Sequence, residues 1–280
     1  MMVERQRGYQ PIGEYALIGD RHTAALVARD GAIDWYCPGR FDASAVFCRL
    51  LDADTGGWLR VGPTGHHDAT RTYQGDTNVL TTTFTTNTGR VRLTDFMPLP
   101  QLPGGSAILR LVEGVSGSVD VEVAFRPTFD YARAETTATP RPGGALARSG
   151  EESLLLTCPV ALRPHPSGAL VGTTNVAGGE RFWVTLRCGH GGMEPTALTL
   201  MEADTALAET LGTWQAWSKL CTYDGPYHAL VRRSALVLSL LTYEPTGALI
   251  AAPTTSLPEA IGGVRNWDYR YTWLRDSAYI

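Results

Sequence analysis

The residues of this chain best suited to chemistry crowd into positions 265–276, which read RNWDYRYTWLRD. Four of the twelve are aromatic, three are arginine and two are aspartate. If the segment is extended, Trp267, Tyr269, Tyr271, Trp273 and Arg275 share one face. If it is helical, Tyr269 and Trp273 still meet at i, i+4. Either geometry makes an aromatic platform beside fixed donors and acceptors. An arginine next to an aspartate presents a fork of N–H donors and a two-oxygen acceptor at one place. That pairing suits a sugar, whose C–H face packs on an aromatic ring while its hydroxyls need paired donors and acceptors. The same composition also fits a buried Arg–Asp pair under an aromatic core, or a protein interface. Composition alone leaves these readings open.

Other groupings point to structure. His66-His67 has no further ligand at metal-binding spacing and reads as a solvated loop. Gly19-Asp20-Arg21-His22 lacks a Ser or Cys nucleophile context and reads as a hydrogen-bonded approach to a hairpin. Gly62-Pro63-Thr64-Gly65 and Gly143-Gly144 lack the Lys-Ser/Thr of a phosphate loop. Arg232-Arg233 sits on an apolar helix and reads as a rim or salt-bridge feature. Asp34, Trp35, Arg40, Phe41 and Asp42 form a second aromatic-and-charge group, expected to pack against the linker.

The elements that must position these residues divide the chain in two. Up to about residue 200 it is punctuated like an all-β domain. Residues 23–36 hold two apolar runs around Asp30-Gly31, which predicts a hairpin with a type I′ turn. Residues 80–96 repeat that design around Asn87-Thr88-Gly89, with Val91 and Leu93 on one face. In residues 119–125, Val119, Val121, Val123 and Phe125 point one way and Asp120 and Glu122 the other. Further strands are expected at 108–113, 153–158 and 181–187, and a loose surface loop at 131–150. The fold class expected is mainly β with C-terminal helices: a large antiparallel β-sandwich, then a linker helix and helices. Leu207, Leu211, Trp214 and Cys221 lie close to one stripe, predicting an amphipathic helix over 204–220. Pro226 suits the start of a second helix over 227–243. Its residues Leu230, Val231, Ala235, Leu236, Val237, Leu238, Leu240 and Leu241 cover nearly the whole circumference, so neighbours are expected around it.

The 280 residues carry 24 Lys+Arg and 28 Asp+Glu, a net charge of −4 with no basic cluster, which argues against nucleic acid as the main partner. The apolar stretch 235–241 is too short to span a bilayer, and no apolar segment follows the charges of residues 1–10, so neither membrane nor secretory leader is expected. Cys37, Cys48, Cys158, Cys188 and Cys221 are odd in number and widely spaced, the usage of reduced thiols in a cytoplasmic protein. No metal and no cofactor is implied. The sequence closes on Ser277, Ala278, Tyr279 and Ile280 without a cap or polar tail, so an element cut partway is expected there.

The stretch from Ala251, AAPTTSLPEAIGGVRNWDYRYTWLRDSAYI, resembles the start of the catalytic domain of glycoside hydrolase family 15, the glucoamylase and trehalase-like family. The opening IGEYALIGDRHTAALVARDGAIDWYCPGRFD and the later VRLTDFMP resemble the N-terminal β domain of its bacterial trehalase-like branch. The resemblance implies a β-sandwich domain over 1–201, a linker helix over 202–223 and the start of an incomplete (α/α)6 barrel over 224–280. It implies an inverting α-glucoside hydrolase acting on trehalose or α-linked gluco-oligosaccharides, in which two carboxyl groups flank the bond at ~6.5–9.5 Å. Arg275 and Asp276 match the pair that grips the hydroxyls of the non-reducing glucose. Trp273 matches the tryptophan packing near that subsite, and Tyr269 a tyrosine close to the developing oxocarbenium ion. Both catalytic glutamates of the family lie further downstream, so no catalytic residue is expected within these residues and the chain alone is expected to be inactive. Glu259 matches no proton-transfer position. The alternative is a non-catalytic sandwich module that binds carbohydrate or protein. In that reading the Leu-rich helix is a docking surface, through which the chain would form a homo-oligomer.

Overall fold

The computed structural model of the protein describes residues 9–260 and 262–278. Tyr279 and Ile280, part of the expected cut element, lie outside them, as do residues 1–8. Among the described residues, fifteen strands join into one antiparallel network. It is organised by a strand of 20 residues, Ala107–Arg126. The first half of this strand pairs with Gly89–Phe96 and Arg181–Gly189. Its second half pairs with Trp58–Pro63 and Leu170–Ala177. One strand therefore serves both layers, and the two strands expected at 108–113 and 119–125 are one. The crossing needs glycine: a Cβ on Gly114 would fall 1.9 Å from the carbonyl oxygen of Ala177.

Alternation placed the core well. Val91, Leu93, Val119, Val121, Val123 and Phe125 are all buried in one cluster with Ile33, Leu59 and Phe84. Glu122 is buried too, because Arg60 meets it at 3.0 Å. Arg110 and Asp95, both with fully buried side chains, pair at 2.6 Å. Arg110 also donates to the carbonyls of Leu59 and Gly31 at 3.2 and 2.8 Å. A buried guanidinium making four hydrogen bonds across two layers locks them in one relative position.

Two expectations need correction. The hairpin of Ala24–Ala28 and Ala32–Tyr36 forms, but its turn is not type I′. Gly31 has φ of 81° while Asp30 is not left-handed, and Gly31 N donates to Ala28 O at 3.0 Å, closing a three-residue loop. Residues 131–150 are no loose loop. Thr137–Arg141 and Gly144–Ser149 form a hairpin whose second strand pairs with Glu152–Thr157 and buries Ala145 and Ala147.

Helix α1 spans Leu200–Ser218 and starts at a capping box, in which Thr199 accepts from Glu202 N while the Glu202 carboxylate accepts from Thr199 N. Its buried stripe is Ala203, Ala206, Thr210, Trp214 and Ser218. Ala203 and Ala206 lie against Phe96, Leu109, Leu111 and Trp183 of the sheet, Thr210 accepts from Leu99 N at 3.0 Å, and Trp214 packs with Leu99 and the second helix. Leu207 and Leu211 flank that stripe, half-buried. Helix α2 spans His228–Leu240. Leu236 and Leu240 are buried with Ala24, Phe41, Leu99, Trp214 and Ile250. Gly19 admits Leu240, since a Cβ there would meet Leu240 Cδ2 at 2.7 Å. Arg232 pairs with Asp76 at 2.7 Å, and Arg233 lies 4.0 Å over the Tyr73 ring while donating to Thr77 O at 2.8 Å. The arginine pair thus clamps α2 onto the β domain. The apolar circumference is only partly covered: Leu230 is 65% exposed and Val231 39%.

Candidate functional site

Residues 251–255 and 268–271 run side by side as a short antiparallel ribbon. Ala251 N donates to Tyr271 O at 3.1 Å and Ala252 N to Tyr269 O at 2.8 Å, with an isolated bridge between Thr255 and Asp268. The ribbon is tied to the β domain at two points. The Trp35 indole donates to Pro253 O at 2.8 Å. Arg270, 6% exposed, donates to Ala43 O at 2.8 Å and Phe41 O at 3.3 Å through Nη1. Its Nε and Nη2 grip Asp268 at 3.0 and 2.7 Å, and its Cζ lies 5.7 Å from the Tyr131 ring. Burial works against charge on Asp268, but hydrogen bonds from the Arg270 side chain and backbone outweigh it and hold the carboxyl below the usual carboxylate range. The same pairing, outweighing burial, raises the Arg270 guanidinium above its ordinary value. Cys37, 3.5 Å from Arg270 Nη1, is pushed up to about 12 by burial despite the cation beside it.

On this anchored ribbon the residues expected to grip a sugar are brought together. The Tyr269 and Trp273 rings stack with centroids 4.9 Å apart and planes 14° from parallel. Neither a regular helix nor a strand does this: residues 269–273 turn irregularly, and a single turn, α3, follows at Leu274–Ser277. Within that turn Arg275 pairs with Asp276 at 3.2 Å, and the Arg275 Cζ sits 5.7 Å from the Trp273 ring. Arg275 and Asp276 are exposed by 70% and 37% at the side chain, so both keep free hydrogen-bonding capacity. Trp267 is drawn off the expected face; its indole donates to Glu259 Oε1 at 3.1 Å. Glu259 is thereby a structural partner of the neighbouring loop, its N donating to Arg265 O at 3.0 Å.

Arg270 is the residue that sequence reasoning left without a role. Its signal was present: in an extended reading, 268 and 270 face away from 269, 271 and 273, and a charged pair on the inward face predicts an anchor. The group around Asp34–Asp42, expected against the linker, meets it through Phe41, which packs with Trp214; Trp35 and the carbonyls of Phe41 and Ala43 instead hold the C-terminal segment. Asp20 caps the approach to the first hairpin by accepting from His22 N and Thr23 N at 3.0 and 2.9 Å. The docking face expected of Leu236 and Leu240 is occupied within the chain itself.

Residues 6–209 match the sequence family described as trehalase-like, N-terminal, and residues 225–280 match glycosyl hydrolases family 15. A trehalase of Thermoplasma volcanium is 39% identical over 279 residues, covering 98% of this chain and 44% of its own length. A trehalase of Mycolicibacterium smegmatis is 34% identical over 298 aligned residues, covering 97% of this chain and 44% of its own. The chain thus spans less than half the length of these relatives. A bacterial glucoamylase solved in complex with acarbose shares the fold, with a TM-score of 0.55 at 13% identity over 93% of this chain and 45% of that one. The chain belongs to the trehalase-like N-terminal family, and its last 56 residues, 225–280, carry the family 15 match.

Proposed function

We propose that this chain supplies the β domain, linker and glucose grip of an inverting α-glucoside hydrolase acting on trehalose or malto-oligosaccharides. The observation that carries this reading is the Tyr269–Trp273 stack set beside the Arg275–Asp276 pair. In it, Arg275 and Asp276 hold the hydroxyls of the non-reducing glucose, Trp273 packs near that sugar and Tyr269 lies near the developing positive charge. The division into residues 1–201, 202–223 and 224–280 goes with it, the last being the first part of a six-hairpin (α/α)6 barrel. Proton transfer belongs to two glutamates outside these 280 residues, so the chain alone does not turn over substrate. A cytoplasmic site of action is supported by five unpaired cysteines. Among the described residues no helix is long and apolar enough to cross a membrane.

Two assays test the proposal. A coupled glucose-release assay on the 280-residue chain with trehalose and maltose is expected to show no turnover; sustained release lost on Glu259→Gln overturns the reading. In a chimera, this chain replaces its matching portion of the Thermoplasma volcanium trehalase. The chimera is expected to release glucose from trehalose. Arg275→Ala removes charge-assisted hydrogen bonds worth ~1.5–3 kcal/mol and should lower kcat/KM by about 10- to 150-fold. An active chimera indifferent to Arg275→Ala rejects the assigned role.

A further inference from the structure

Beside the stacked pair lies a cleft of about 210 Å³, bounded by Arg40 and Asp42 of the β domain, Tyr243 after α2, and Arg270, Tyr271 and Thr272 of the C-terminal segment. The cleft is open to solvent and has room for a sugar ring. Its polar groups are ordered. Arg40 grips Asp42 with two parallel hydrogen bonds, Nε to Oδ1 at 2.9 Å and Nη2 to Oδ2 at 3.0 Å. This fork leaves donors on the guanidinium and lone pairs on the carboxylate unused. The Arg40 Cζ lies 5.9 Å from the Tyr243 ring. That ring is held edge-on by Phe41 and His22, at centroid distances of 6.3 and 5.7 Å. Tyr271, 52% exposed, supplies a second ring.

Charge decides the ligand class. Each guanidinium lining the cleft is matched by a carboxylate: Arg40 by Asp42, and Arg270 by Asp268 at 2.7 Å. Next to Tyr243, Glu244 is likewise met by Arg21 at 3.6 Å. A site with no net charge gives no advantage to an anion or a cation. It does offer paired donors and acceptors beside aromatic faces, the requirement of a neutral sugar. The design repeats that of the stacked site, where an Arg–Asp pair lies against Trp273. The two sites are neighbours, since the Cα atoms of Tyr271 and Trp273 can be at most about 7.6 Å apart.

From these features we infer that the Arg40–Asp42 cleft is a second subsite for a neutral pyranoside, built jointly by the β domain and the ribbon. It deepens the proposed function, and rests on it for the choice of sugar. Saturation-transfer NMR on the 280-residue chain tests it with trehalose, maltose and glucose as probes and open-chain sorbitol as the comparison. Transfer to the sugars is expected. It should fall at least fivefold in Tyr271→Ala and in Asp42→Ala, and persist at four-fifths or more in Arg275→Ala. Thr246→Trp, which fills the cleft from an exposed turn, should lower it as far with the thermal midpoint unchanged, the remainder being transfer through the Arg275–Asp276 site. Transfer abolished by Arg275→Ala but untouched by Tyr271→Ala and Thr246→Trp overturns the second subsite while leaving the first reading intact. No transfer to any sugar, or equal transfer to sorbitol, overturns it as well.

Discussion

Replacing Arg270 with methionine isolates what joins the ribbon to the β domain. The substitution keeps an unbranched side chain but removes the donors to Asp268, Ala43 O and Phe41 O. Removing one partner of a fully buried ion pair costs ~3–5 kcal/mol. Asp268 is 32% exposed at its side chain, so water takes over part of its solvation and the lower part of that range applies. Two carbonyls also lose a charged donor, and unmet acceptors cost ~1–3 kcal/mol where water cannot reach them. A loss of at least about 3 kcal/mol in docking follows, or roughly 140-fold or more in the docked population at 1.4 kcal/mol per tenfold. The loss is local, because Arg270 lies outside the cluster that holds the sheets together. Hydrogen exchange reads it directly, since Ala251 N and Ala252 N are bonded only while the ribbon is closed. Their protection should fall by that factor while that of Leu111 and Val123 is unchanged. Arg270→Lys should fall nearly as far, because an ammonium cannot fork between Asp268 and two carbonyls. Equal loss of protection in sheet and ribbon, or none in the ribbon, would refute the anchor.

Acid provides a second test of the same contact. The Asp268 carboxyl is held below its unfolded range, so its contribution is complete above ~4 and is lost as pH falls through the depressed value; tryptophan fluorescence of the wild type should converge on that of Asp268→Asn only at acid pH. Gly19→Ala sets a methyl 2.7 Å from Leu240 Cδ2 and 2.8 Å from Thr23 O, and overpacking of that kind costs ~1–3 kcal/mol. The thermal midpoint should drop by roughly 2–12 °C, and an unchanged midpoint would mean that α2 sits elsewhere. A thiol reagent at pH 8 should label Cys221 in the native chain and reach Cys37, Cys48, Cys158 and Cys188 only after denaturation, since those four are buried. Rapid native labelling of Cys37 would contradict its burial against the ribbon.

Much of the β domain was legible because half-buried strands alternate, and alternation is a property of the residues themselves. Where it failed, the side chains gave no contrast. Ala145 and Ala147 are too small to stand out as a core face, and Thr137–Arg141 is an almost wholly exposed edge strand carrying Pro140. The start of α1 was missed for a different reason. Its signal is the polar pair Thr199 and Glu202 rather than the apolar stripe, which begins only at Ala203. At the site, spacing put Tyr269 and Trp273 together in either regular geometry, and they stack although residues 269–273 are neither helix nor strand; Arg275 and Asp276 meet as sequence neighbours. Apart from Asp268, the hydrogen-bond partners of the Arg270 side chain lie more than two hundred residues away in sequence, at Cys37, Phe41 and Ala43. No spacing rule links positions so far apart.

The strand Ala107–Arg126 has a kinetic consequence. Its partners come from far along the chain, Val61 opposite Val123 and Trp183 opposite Leu111, so its pairings close long loops before they return any stabilisation. Contact order this high slows folding. Neither layer can be completed without the shared strand, so loosening either one withdraws support from the other. The domain is therefore built to open as one cooperative block, while the ribbon at residues 251–276 can detach on its own.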